Sequence, residues 1–325
     1  MSTTAQTDGP RTGKSAKSPG LLHGVTWLVA RQHRTALWLI GAATLLGAAM
    51  IVYQRGEMVS MLDRLGWPGK DVHLPSDPEG FQYMSGVLGG LPVLLGVFLG
   101  APLIAGDQEQ GTAQLVTTQS VPRRRWLAAK LIGCLSVVLV STAVLGALFT
   151  WWWEPYREAL PAEWLQGEVF DSTGPMPTAL SLFLTTCGIA IGMLLRRVVP
   201  AMMVTFLFSM AVELAWSEVR GRLATPRLFT YPLNADSPAF LDQAVESDRW
   251  IGTADGQLFG WGTCAEQTER ATNACIKEHG IVNNVIEYFG YDQMPGMQWT
   301  GAGLLLGGTA VVAVFILWWA TRRPL

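Results

Sequence analysis

Charge is what this chain has least of. Charged residues fill 15% of its 325 positions, against about 25% in soluble domains, and half of all residues are apolar. The uncharged residues gather in six long runs, not in the periodic stripes that build a soluble core, and this excludes a soluble domain. Histidine is scarce too. There are four, none within an apolar run, so paired intramembrane haem ligands are absent. No His-Glu-x-x-His and no Ser/His/Asp set occurs; the sequence offers no catalytic residue and no metal site, and the chain reads as a non-enzyme. No cleavable signal peptide is expected either. Residues 1–20 are polar and rich in Gly, Pro, Ser, Thr and Lys, and read as a disordered cytoplasmic tail. Within them Gly9-Pro-Arg-Thr-Gly13-Lys14-Ser15 imitates a P-loop, but three residues separate its glycines where four are needed, and no strand precedes it. No cofactor is expected on this chain.

What is present is a topology. The six runs cover residues 35–53, 84–106, 131–153, 176–195, 198–216 and 300–321, and only Glu213 puts a formal charge inside any of them. A bilayer core of about 30 Å takes about 20 apolar helical residues, and a helix satisfies its own backbone hydrogen bonds. Basic residues alternate sides: Arg31 and Arg34, then Arg123, Arg124, Arg125 and Lys130, then Arg196 and Arg197, then Arg322 and Arg323. The intervening short loops are acidic, with Glu57, Asp63, Asp71 and Asp77, and then Glu154, Glu158 and Glu163. By the positive-inside rule both termini are expected in the cytoplasm. The expected fold is an all-α polytopic membrane protein with six spans, five of them within residues 35–216, an extracellular subdomain over residues 217–299, and the last span in residues 300–325.

Two further features are read at the cytoplasmic face. Ser18 and Pro19 suit a helix start. Leu21, Leu22, Val25, Leu28 and Val29 then share one helical face, which predicts an amphipathic interfacial helix over residues 21–34. In residues 107–127, Gly111 can break the second span and Thr112 can cap a short new helix ending near Gln119, before Pro122 and Arg123–Arg125 start the third. The result is a short helix between two turns, either a lever for a soluble partner or a plain connecting turn.

This segment resembles the motif of type-2 ABC transporter permeases in Glu109, Gly111-Thr112, Leu115-Val116, Val121-Pro122-Arg123 and Lys130. The run from Gly188 through Arg196-Arg197 to Ala201 is similar to that family's tight turn between spans four and five. The resemblance implies that Glu109, Gly111, Thr112, Leu115, Pro122 and Arg123 couple to a separate ATPase, which binds ATP and Mg²⁺. Two such ATPase subunits and a second permease, identical or homologous, would complete an exporter in a bacterial cell membrane. Membrane lipids are the other expected partner, and nucleic acid is not one. The resemblance also implies that spans two and five line the pathway for an amphipathic cargo such as a drug, antibiotic or lipid. Met203, Phe206, Met210 and Glu213 on span five are the candidate lining residues, with lipid exposure the alternative for the first three. Glu213 lies sixteen residues past Arg197, about 24 Å along a helix, where it can also serve as an interfacial anchor. Outside the membrane, Cys264 and Cys275 are close enough in sequence to form a disulfide, the rival being a metal pair with His279. A membrane sensor or assembly component without transport activity is the alternative function.

Overall fold

A computed structural model describes residues 34–70, 72–111 and 123–322, without the side chains of Ala36, Arg123 and Thr321. The expected interfacial helix falls outside these residues except for Arg34, and so do Thr112, Leu115 and Pro122 of the connecting segment.

Among the described residues, six helices are long and apolar enough to cross a membrane. The first, α1 (Arg34–Leu65), runs twelve residues beyond its apolar stretch. Residues 54–65 contain good helix formers, and they bring Met58 and Leu62 into a buried cluster with Phe81 and Trp152. The Trp152 indole donates to the Met58 sulfur at 3.3 Å. Gly66 then ends the helix at φ +94°, a left-handed conformation that only glycine adopts without steric cost. The second span is α2 (Glu79–Leu95), a π-helical turn (Gly96–Gly100) and α3 (Pro102–Glu109). The third is α4 (Arg123–Trp153). After the short α5 (Gly167–Phe170) come α6 (Met176–Leu195) and α7 (Val198–Arg220), which begin where the apolar runs predict. The last span is α9 (Met294–Arg322).

α6 is the hub of the bundle. Of its most apolar window 72% is buried, against 6% for α1, so α1 leaves most of its surface for lipid or a partner. The hub works because its backbone comes very close to the second span. A Cβ on Gly188 would stand 2.4 Å from the Gly96 carbonyl oxygen, and one on Gly192 would stand 2.1 Å from that of Ala101. Small residues permit such contact where no hydrophobic force drives helices together. The π turn sits at this crossing, closed by Ala101 N–H to Gly96 C=O at 2.9 Å, and Pro102 follows it without a donor of its own.

The all-α expectation is corrected by residues 217–299. Between the end of α7 at Arg220 and the start of α9 at Met294 lies a four-stranded antiparallel sheet in the order β1–β4–β2–β3, with β1 Arg227–Pro232, β2 Val245–Thr253, β3 Leu258–Gly260 and β4 Ile281–Phe289. β-branched and aromatic residues suit a pleated, half-buried surface. Here Val245, Ile251, Ile281, Val285, Ile286 and Phe289 are buried. Val245 and Phe289 join the helical core, whereas Ile251 and Ile281 form a smaller one with Cys264. Cys264 and Cys275 are disulfide-bonded. Cys275 lies on α8 (Glu269–Glu278), which Thr268 caps by accepting the Ala271 N–H at 3.3 Å.

The bridge closes a separation of eleven residues, so Cys264→Ser/Cys275→Ser should destabilise this subdomain by about 2–3 kcal/mol. Limited proteolysis is expected to cut residues 254–280 faster while the helical bundle stays protected; unchanged cleavage would show the bridge to be dispensable.

Candidate coupling and transport surfaces

α7 links the candidate surfaces: its first residue meets the end of α3, its first half borders an apolar groove, and its last turn leads toward the sheet. At the first end, α3 stops at Glu109, and Gly111 takes φ +69°, which turns the chain out of the helix as the sequence predicts. Glu109 Oε2 accepts the Val198 N–H at 2.9 Å. Val198 opens α7, so this carboxylate satisfies a backbone donor that a helix start leaves unpaired. The α6–α7 turn is tight because Arg196 takes a left-handed φ of 59° and its N–H bonds back to Gly192 C=O at 3.0 Å. Two residues before Glu109, the Asp107 carboxylate forms an ion pair with Lys130 of α4, and both residues are buried. Lys130 Nζ also lies 3.4 Å from the Leu103 carbonyl oxygen and 4.8 Å from the centre of the Trp126 ring. Glu109 and Lys130 were legible as motif positions. Their partners Val198 and Asp107 were not, because neither pairing follows from sequence separation.

The apolar candidates divide. Met203 and Phe206 line a groove of about 550 Å³ between α2 and α7, together with Val93, Leu94, Val97, Phe98, Met202 and Leu207. All eight side chains are apolar. Met210 lies outside the groove and is exposed. Glu213 is turned toward a polar cluster at the sheet end.

In that cluster Asp171 accepts the Trp216 indole N–H at 2.8 Å and pairs with Arg220 at 3.0 Å. Burial raises the Asp171 carboxyl above its ordinary range, and Arg220 and then Trp216 pull it partly back. Glu213 feels both Asp171 and Arg220, and its Oε1 is buried without a hydrogen-bond partner among the described residues. Gln298 of α9 closes the same end by donating to Phe170 C=O at 3.0 Å and to Thr173 Oγ1 at 2.9 Å.

A feature that the sequence did not disclose runs inward from Glu213. Ser181 and Thr185 on α6, and Thr205 and Ser209 on α7, are fully buried, and their hydroxyls have no partner among the described residues. Thr142, Thr150, Thr186 and Thr309 instead donate to the carbonyl four residues back. Thr205, Ser209 and Glu213 stand at i, i+4 and i+8, on one face of α7. Counted from the Arg196–Arg197 turn, Ser209 is level with Thr185 and Glu213 with Ser181. Both helices therefore bury unpartnered hydroxyls at similar depths within an apolar bundle. The signal was the spacing of hydroxyls toward Glu213, and hydropathy hides it because Ser and Thr barely lower the mean.

A family model described as ABC-2 membrane transporter related matches residues 40–220, more than half of the chain. The chain belongs to that family. No curated protein and no solved structure matches it. As an ABC-2 family member with six apolar helices it is a multi-pass membrane protein, the membrane permease of an ABC transporter. Membrane subunits of this family generally work with an ATPase partner. The matched residues take in the first span from residue 40 and the next four, including the Glu109–Val198 and Asp107–Lys130 contacts and the buried hydroxyls of α6 and α7, and leave out the sheet and α9.

Proposed function

We propose that this permease is the membrane subunit of an exporter, with residues 112–119 as the surface on which a separate ATPase pushes. The observation that carries this reading is the anchoring of the flanks of that segment. Before it, Glu109 holds the start of α7 and Asp107 holds α4; after it, Lys130 returns the second contact. A push on the segment would thus reach spans two, three and five together. Both termini and the segment face the cytoplasm. The disulfide-bonded sheet, at the opposite end of α7, faces an oxidising exterior, in keeping with where such bridges persist.

Two permeases and two ATPase subunits make the working unit, and ATP with its Mg²⁺ binds the ATPase. The groove bearing Met203 and Phe206 takes the apolar part of an amphipathic cargo, while Met210 and Glu213 lie farther along the same span. Methionines suit a path that accepts varied shapes. The two bundles rock about their shared interface when the ATPase closes, in a bacterial cell membrane.

Replacing residues 112–119 with a Gly/Ser linker of equal length tests the assignment. The variant should insert and fold like the parent, yet its ATP-driven transport in vesicles should fall to the level seen without ATP. Undiminished transport would remove the coupling role, and normal membrane insertion without transport in the parent itself would favour a sensor.

A further inference from the structure

We infer that the permease binds a zwitterionic phospholipid of the phosphoethanolamine type, headgroup first, in a cavity between the bundle and the sheet. This is independent of the export reading. The cavity is about 490 Å³, within the range of small-molecule sites. Trp153, at the end of the third span, and Tyr291, at the start of the sixth, border it. It therefore opens at the level where aromatic belts meet lipid headgroups.

Its walls carry two chemistries. Among the lining residues, the indole N–H groups of Trp153 and Trp164 have no partner among the described residues, although the two side chains are only 2% and 4% exposed. Arg157 Nε is likewise buried without a partner. A buried donor left unmade is costly, and an acceptor-rich anion entering the cavity would offset that cost wherever it meets these donors. The same lining holds Glu158, Glu163 and Asp242. Glu158 is already engaged by Arg157 at 3.2 Å and Gln243 at 3.1 Å, and Glu163 by Gln166 at 3.4 Å, and the three carboxylates outnumber the lining bases Arg157 and His73.

Donors beside an acidic wall fit a phosphate joined to an amine. The amine should be primary. A quaternary ammonium seeks an open aromatic face, and the Arg157 guanidinium already covers Tyr291 at 4.4 Å. The acyl chains would leave along the bundle surface.

Native mass spectrometry of the full-length protein tests this, using mixed micelles of phosphatidylethanolamine, phosphatidylcholine and phosphatidylglycerol with identical acyl chains. One phosphatidylethanolamine per chain should be retained, preferred about tenfold, a difference of about 1.4 kcal/mol. Trp164→Phe keeps a ring but removes the donor, and Glu163→Gln/Asp242→Asn removes the acidic wall at exposed positions. Each should bring retention down to the phosphatidylglycerol level. Equal retention of the three lipids, or preference unchanged in both variants, overturns the site. Soluble glycerophosphoethanolamine should fail to displace the lipid at equal concentration; displacement would assign the cavity to a free headgroup compound and overturn the lipid assignment. No ATPase enters the measurement, so its failure leaves the export reading standing and the reverse also holds.

Discussion

Lys130→Met should cost the folded permease about 3–5 kcal/mol, because it strips Asp107 of its buried ammonium partner. The side chain of Lys130 is wholly buried, so water cannot take over its role without opening the contact between α3 and α4. The Coulombic gain of the pair is offset largely by desolvation of both charges, and the large penalty comes from removing one of them. It follows that Asp107→Asn/Lys130→Met should be less damaging than Lys130→Met alone. Thermal unfolding of the detergent-purified protein would give the cycle, read as differences from the parent. Equal loss in the single and double variants would mean that Lys130 contributes by packing on Trp126 and not by charge.

The second large effect concerns the hub. Gly188→Ala/Gly192→Ala should prevent α6 from seating against the second span. Each new Cβ would fall well inside contact distance of a backbone carbonyl oxygen, of Gly96 and of Ala101. Backbone cannot rotate away as a side chain can, so the helices must separate and the shared core opens. Overpacking commonly costs about 1–3 kcal/mol per site, and two adjacent sites on one crossing act together. Gly89→Ala on α2 is the matched control, since nothing lies within 4 Å of its added Cβ. Monodisperse yield in detergent and melting temperature should fall sharply for the pair and stay near the parent for the control. A pair as stable as Gly89→Ala would disprove the close crossing.

Hydropathy resolves elements whose burial is decided by lipid. The ends of α6 and the start of α7 follow directly from where apolar residues give way to Arg196 and Arg197. It fails where protein contacts decide. Residues 54–65 continue α1 because Met58 and Leu62 find an aromatic cluster contributed by other helices. The π turn leaves no trace in hydropathy, since Gly96–Gly100 reads as an ordinary apolar stretch. In the sheet, the runs Val245–Thr253 and Ile281–Phe289 carry β-branched residues, but charged and amide side chains interrupt the alternation on which strand recognition depends.

The candidate sites divide in the same way. Glu109, Gly111 and Lys130 were legible because a local motif contains them. Asp107's pairing with Lys130 and the burial of hydroxyls on α6 and α7 depend on helix rotation, which composition does not encode. Met203 and Phe206 share the groove with span two, whereas Met210 and Glu213, on the same helix, do not.

Co-expression of the full chain with an ABC ATPase from the neighbouring reading frame, followed by reconstitution in vesicles, addresses the central claim most directly. The quantity to record is movement of a fluorescent amphiphile across the vesicle membrane with and without ATP. The permease reading predicts a stable complex of two membrane chains and two ATPase chains, with movement that requires ATP and stops when residues 112–119 are replaced. A chain that purifies without the ATPase and leaves both ATP hydrolysis and amphiphile movement unchanged would contradict it.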